Sequence, residues 1–327
     1  MSKKIVFKVT GGLGRNIAAL AVARQIIATN AGCTLHVMAS YPDVFVGVAG
    51  IEKVYPFPAQ NTVMPDWFEN HRDFDVLEAE PYVDLGYRNG EQHLVDVWCR
   101  RLGIGLPDRK FGDLSLHDGS EREWARRNLA GLFQASPRPK LIAFQPWGGT
   151  SFYDAGAAMD PTRPKQARDL PFEIAQTIVN KLRERGFVVL QMSLPTERQL
   201  QNVIPIPVAQ GQVINPRYLF ALLELCDGLV TIDSFSAHAW VALEKKNAVV
   251  LWGATNPTNL GYSCNNNISK DACKTPHCNR PETHMLDVLG NGQPWRCPHK
   301  DACMNHDPEQ VAQAVIGSQQ CQETKHQ

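Results

Sequence analysis

Residues 230–262, VTIDSFSAHAWVALEKKNAVVLWGATNPTNLGY, decide the reading of the fold. An apolar run ends at Ile232, a polar turn holds Asp233 and Ser234, and an apolar helical stretch carries Ser236 and His238. The run AVVLWGA follows, with a second polar turn behind it. Strand, turn, helix and strand in that order make a parallel crossover unit. Ligands of such sheets bind beyond the carboxyl ends of the strands, which is where Asp233, Ser234 and His238 fall.

The same alternation extends in both directions. Upstream, KKIVFKVT reads as a buried strand, GGLGRN as a glycine-rich turn and IAALAVARQIIATN as a helix; TLHVMAS, GIEKVYPF and FDVLEAE read as further strands. GEQHLVDVWCRRLGI and GSEREWARRNLAGLF have amphipathic helical spacing, and QASPRPK then breaks the pattern. It restarts with LIAFQPWGG, FEIAQTIVNKLRERG, FVVLQMS and NPRYLFALLELCDG. This predicts an α/β protein of two doubly wound halves, residues 1–135 and 136–327, a division expected for a chain of 327 residues.

Lysine plus arginine equals aspartate plus glutamate at 33 each, so bulk charge gives no reason to expect a polyanionic partner. No segment has the unbroken apolar length of a membrane span and the N-terminus lacks a signal-peptide pattern, from which a cytoplasmic protein is expected. The nine cysteines are then not expected to form a disulfide framework.

Four places bear chemistry. Gly11, Gly12 and Gly14 free the backbone before a helix, although the full dinucleotide fingerprint and the Walker lysine are both missing. After the strand ending at Phe144, Thr150 and the cations Arg163, Lys165 and Arg168 occupy a long loop suited to phosphate, or simply solvated. Asp233 and Ser234 can cap the helix bearing His238, which shares a face with Ser234. Finally, Cys278, Cys297 and Cys303, with Cys264 or Cys273 as fourth and His277 and His299 in reserve, suit a tetrahedral structural zinc or iron, or remain reduced thiols.

The order QPWGGT, ARDLPFEIAQTIVNKLRERGFVVLQMSLPTER and LFALLELCDGLVTIDSFSAHAWVALEKKNAVVLWGATNP resembles the C-terminal half of the ADP-heptose heptosyltransferases of glycosyltransferase family nine. The resemblance implies the GT-B fold, two facing Rossmann-like domains with a cleft between them. It further implies an inverting transferase that moves a sugar from a nucleotide diphosphate donor, ADP-linked by analogy, to a hydroxyl. The acceptor could be lipopolysaccharide core, a protein side chain or a hydroxylated phage DNA base. No catalytic cofactor is implied; autotransporter heptosyltransferases with a four-cysteine iron finger support the metal reading of the tail. The terminal helix is expected to pack back across the cleft.

Matched by position, Gly12, Gly14, Arg15, Thr150, Arg168, Glu197, Asp233, Ser234, Ser236 and His238 would bind the donor. Two departures stand out: Phe235 replaces a glycine, and Leu13-Gly14-Arg15 replaces Leu-Gly-Asp, whose acid is the family's proposed base. Arginine cannot accept a proton at neutral pH. The base must then come from Glu78, Glu80, Asp84 or His93, and Asp84 is the expectation. Alternatives are a non-catalytic sugar-nucleotide or metal-binding interaction protein on this scaffold, or a sugar-nucleotide epimerase.

Overall fold

The computed structural model describes residues 2–57, 71–116, 119–148, 168–193, 198–208, 214–273, 277–278 and 297–323. Two sheets, all parallel, organise the chain. The first holds β1 (Lys4–Val9), β2 (Thr34–Ala39), β3 (Ile51–Pro56) and β4 (Asp75–Leu77) in the order β3-β2-β1-β4. The second holds β5 (Leu141–Gln145), β6 (Val188–Gln191), β7 (Ile204–Pro205), β8 (Gly228–Ile232), β9 (Val249–Trp252) and β10 (Asn266–Ser269) in the order β10-β9-β8-β5-β6-β7. Every residue of β5, β8 and β9 is buried, because a parallel sheet is covered on both faces, and this is why their sequences are continuous apolar runs.

Strand order reverses beside β1 in the first sheet and between β5 and β8 in the second. Chain segments leaving the strands there diverge and open a crevice. The helix α1 (Leu13–Thr29) leaves β1. Between β4 and β5 come α2 (Leu85–Arg88), α3 (Leu94–Arg101), α4 (Gly119–Asn128) and α5 (Ala130–Phe133). The second half adds α6 (Phe172–Glu184), α7 (Pro216–Leu225), α8 (Phe235–Ala242), α9 (Pro257–Leu260) and α10 (Pro308–Glu323).

One apolar core joins the halves, running from Ile5, Phe7 and Ile17 through Trp98 to Phe220 and Trp240. It is continuous because α1 packs on α8. Buried alanines at 18, 19, 21 and 23 on α1, and at 237, 239 and 242 on α8, carry too little side chain to hold the backbones apart. Likewise α4 packs on α7, where Trp124 meets Tyr218 at 4.8 Å and Arg122 pairs with Glu224 at 2.7 Å. Arg217 of α7 forms a buried ion pair with Glu121 and also donates to the Asp43 and Val46 carbonyls of the first half.

The terminal helix differs from expectation. The Asp307 carboxylate accepts from the Glu309 amide at 2.9 Å, as a capping residue does. However, α10 lies on α6, β8 and β9 of its own half, where Glu309 pairs with Lys181 and Arg185. Its buried face, Val311, Ala312 and Val315, completes the second core, and the helix does not return across the cleft. No helix among the described residues is long and apolar enough to cross a membrane.

Candidate functional site

Each half presents its switch point to the other. In the first, β1 runs into Gly11 and Gly12, and Asn16 straps that turn by donating to the Gly11 and Gly12 carbonyls at 3.1 and 2.9 Å while accepting from the Tyr41 amide. Gly11 has φ of 95°, a left-handed conformation that glycine adopts without strain. Gly12 is the N-cap of α1 and supplies no capping side chain, nor does the first turn hold an acidic residue. The amide end of α1 therefore keeps its partial positive charge.

The second half matches it. Ser234 is the N-cap of α8, yet its hydroxyl makes no capping bond. Instead of sealing the helix as the sequence suggests, the serine leaves it uncapped. Arg168 donates to the Asp233 carbonyl at 3.0 Å, which fixes a guanidinium beside that end. Gly148 makes room for it: a Cβ there would lie 2.7 Å from Arg168 Nε. The Gly148 amide donates to Asp169 at 2.9 Å, tying the β5 loop to the start of the α6 segment.

The two helix ends meet. A Cβ on Gly14 would fall 3.1 Å from the His238 ring and 3.4 Å from Phe235 Cα, so the backbone of α1 reaches that of α8 only because position 14 is glycine. Phe235, where the resembling family has glycine, is buried against this contact. His238 bonds through Nδ1 to the Tyr262 hydroxyl at 2.7 Å. Burial pushes its pKa down to about 4, with Arg168 adding to the fall and Asp233 opposing it, so the imidazole is neutral at physiological pH. His93 of the first half packs on the same tyrosine, its ring 5.7 Å away, and burial lowers its pKa to about 3.

Several expected residues have other tasks. Asp84 is not placed as a base: its carboxylate caps α2 by accepting from the Gly86 amide at 2.9 Å and pairs with Arg100 at 2.8 Å. Although burial opposes it, these partners lower its pKa. Its side chain is only 14% exposed. Ser236 is fully buried, its hydroxyl shared between Thr231 and Gln145, so it locks α8 to the sheet and does not face a ligand. His93 Nδ1 accepts from the Val95 amide as the cap of α3. Thr150 and Glu197 lie outside the described residues, as do Arg163 and Lys165.

The cysteine set also changes. Burial pushes the Cys303 thiol up to about 11, and Asp301, Cys297, Cys278 and Cys273 act in the same direction. Cys264 stands before β10, with its carbonyl accepting from Asn247 and its sulfur beside Asn265. Cys273 is among the thiols that act on Cys303. Among the described residues no group of three or more His, Cys, Asp or Glu side chains is close enough to hold a metal ion. Cysteine thiolates have the donor chemistry that zinc and iron favour.

The sequence reading missed three contributors. Tyr82 lies where the halves meet: Arg15, Asp233, Glu80 and Arg168 all bear on its hydroxyl, which burial pushes up to about 12. Tyr262 orients His238. Asn259 joins the halves by donating to the Tyr87 and Gln92 carbonyls at 2.8 and 2.9 Å. The GATNP motif two residues before it was visible, but the carbonyls that Asn259 meets belong to backbone, which leaves no residue signature.

Two parallel-sheet halves, with their switch points facing across an anion-friendly cleft, make this a GT-B fold of the glycosyltransferase kind. No family model matches the chain, and no curated protein matches it in sequence. Solved structures do match its fold. A family 9 glycosyl transferase from Veillonella parvula superposes with a TM-score of 0.66 at 14% identity, covering 97% of either chain. ADP-heptose lipopolysaccharide heptosyltransferase II of E. coli gives 0.63 at 13% identity, covering 98% of this chain and 99% of the other. TibC, an iron-containing dodecameric glycosyltransferase of enterotoxigenic E. coli, gives 0.62 at 11% identity, with 98% of this chain and 77% of TibC covered. The likeness inferred from sequence thus extends to the whole fold.

Proposed function

We propose that this chain is a glycosyltransferase, with residues 1–135 forming the acceptor side and 136–327 holding a nucleoside diphosphate sugar. One observation carries the reading: the uncapped N-termini of α1 and α8 converge at the two switch points, with Arg168 anchored beside them. Two helix ends and a guanidinium suit a diphosphate as ligand and as leaving group. On this reading Asp233, Ser234 and His238 meet the donor, His238 as a neutral hydrogen-bonding ring. Gly12 and Gly14 allow the backbone of α1 to approach. Thr150 and Glu197 remain candidates for phosphate and ribose by the sequence resemblance alone. The donor we favour is ADP-linked heptose, which TibC holds in a complex that superposes on this chain with a TM-score of 0.60. Transfer to a hydroxyl acceptor would proceed with inversion at the anomeric carbon. Cys273, Cys278, Cys297 and Cys303 would hold a structural zinc or iron, which would cross-link a segment poor in apolar residues.

The test is thermal shift against ADP-, UDP-, GDP- and CDP-linked sugars. The ADP-linked heptose should raise the melting temperature by several degrees at saturating concentration. Arg168→Ala should abolish the rise while leaving the unliganded midpoint within a few degrees. No stabilisation of the wild-type chain by any of the four classes would end this reading.

A further inference from the structure

We propose that Glu80 is the base that deprotonates the acceptor, and that Arg15 is its positioning residue. This rests on the glycosyltransferase reading above. Position 15 lies in the first turn of α1, where an acidic side chain would serve as base, but arginine is present. Its charge is used on a neighbouring carboxylate. Glu80 follows β4, which pairs with β1 across the switch point, and Arg15 Nη1 donates to its Oε2 at 2.8 Å.

The two partners differ in what surrounds them. The Arg15 side chain is only 10% exposed, whereas that of Glu80 is 46% exposed. Arg15 is clamped between aromatic faces, its guanidinium carbon 5.1 Å from the Tyr82 ring centroid and 5.0 Å from that of Trp98. A largely buried cation thus holds a solvent-accessible carboxylate beside the first switch point. The Tyr82 amide, donating to Glu80 Oε1 at 3.1 Å, fixes the carboxylate from a second direction. Glu80 of the first half and Asp233 of the second both act on the Tyr82 hydroxyl, which sets Glu80 near the junction of the halves.

The competing groups in the same segment are engaged elsewhere. Glu78 pairs with Lys8 at 2.8 Å, Asp84 with Arg100 and the α2 amides, and His93 is a buried cap. Of the two capping, arginine-paired acids, Glu80 is the accessible one, its side chain 46% exposed against 14% for Asp84. In the transfer step, the acceptor O–H proton passes to the Glu80 carboxylate and the oxygen's electron pair forms the bond to the anomeric carbon. The bond from that carbon to the terminal phosphate oxygen breaks, and its pair leaves on the nucleoside diphosphate. Arg15 holds Glu80 in place without touching the sugar.

The experiment measures ADP release from ADP-linked heptose with water as acceptor, alongside the thermal shift that the same donor produces. Glu80→Gln, which retains an acceptor oxygen for the Tyr82 amide, should keep the wild-type shift and lose about 100-fold or more in release rate. Glu80→Ala should be equally slow and should recover in part with added formate, a readout that a purely structural role would not move. Glu78→Gln should release ADP at the wild-type rate. Wild-type turnover by Glu80→Gln, or a Glu80→Ala chain indifferent to formate, overturns the assignment. Absence of any donor shift in the wild type is a different result, and it strikes the donor site instead.

Discussion

At the scale of single residues, burial decides which polar groups are available for chemistry. His93, His238 and His306 are buried, with pKa values lowered to about 3, 4 and 4, chiefly by loss of hydration. Each is neutral when folded, but accepts a proton near its ordinary 6.5 when unfolded. Below that value the unfolded chain binds more protons, so stability falls with acidity until the folded pKa values are reached. Denaturant midpoints should be nearly flat above pH 6.5 as far as these groups are concerned, then drop between 6.5 and 4. His93→Asn, which keeps an acceptor for the Val95 amide, should remove about 1.4 kcal/mol per pH unit from that acid slope. An unchanged slope would mean that His93 takes its proton without unfolding. The same criterion separates what was legible in the sequence from what was not. Asp233, Ser234 and His238 could be found because they follow a strand. The surroundings of Glu80 and Asp84 could not be told apart there, since both are acids in one polar segment, and only folding pairs Asp84 with Arg100 and Glu80 with Arg15.

At the scale of elements, periodicity read the buried strands and long helices well because both faces of each sheet are covered. It missed β7 and β10, edge strands of two and four residues with few apolar positions, whose identity comes from pairing with β6 and β9. It also joined α4 and α5 into one helix, which the chain breaks at Leu129. The α1 and α8 contact was half legible: glycine at 14 signalled a close approach but not to what. The structure supplies the object, the Phe235 backbone and the His238 ring. Gly14→Val should therefore force the two helix ends apart. We expect a stability loss of about 1–3 kcal/mol from overpacking and a fall in donor affinity of at least tenfold, measured by titration calorimetry. Gly12→Ala, with nothing within 4 Å of the added Cβ, should leave stability within about 0.5 kcal/mol. Equal losses at both positions would refute the close-approach argument.

At the scale of the whole molecule, the halves are fastened on both sides of the cleft by polar contacts that composition cannot show. Arg217 and Asn215 bind the first half near Asp43, while Asn259 and Asn256 hold the loop of residues 87–92. The second fastening stands next to the thiols. His277 donates through Nδ1 to the Gly253 and Thr255 carbonyls at 3.0 and 3.1 Å, and a Cβ on Gly253 would sit 3.2 Å from Cys303 Sγ. The cysteine segment thereby rests on the strand end that leads into Asn256 and Asn259, so a metal there would stiffen the loop joining the halves. Elemental analysis of the purified chain should find about one zinc or iron per molecule. Cys273→Ser should lose it and lower the melting temperature, because removing one of four ligands leaves an incomplete site. With Cys273 as the fourth ligand, Cys264→Ser should keep both metal and midpoint. Retention of metal by Cys273→Ser together with loss by Cys264→Ser would reverse the ligand set. A metal-free wild type with an unchanged midpoint after chelation would leave the thiols as packing, and the Asn256 and Asn259 contacts as the whole of the fastening on that side.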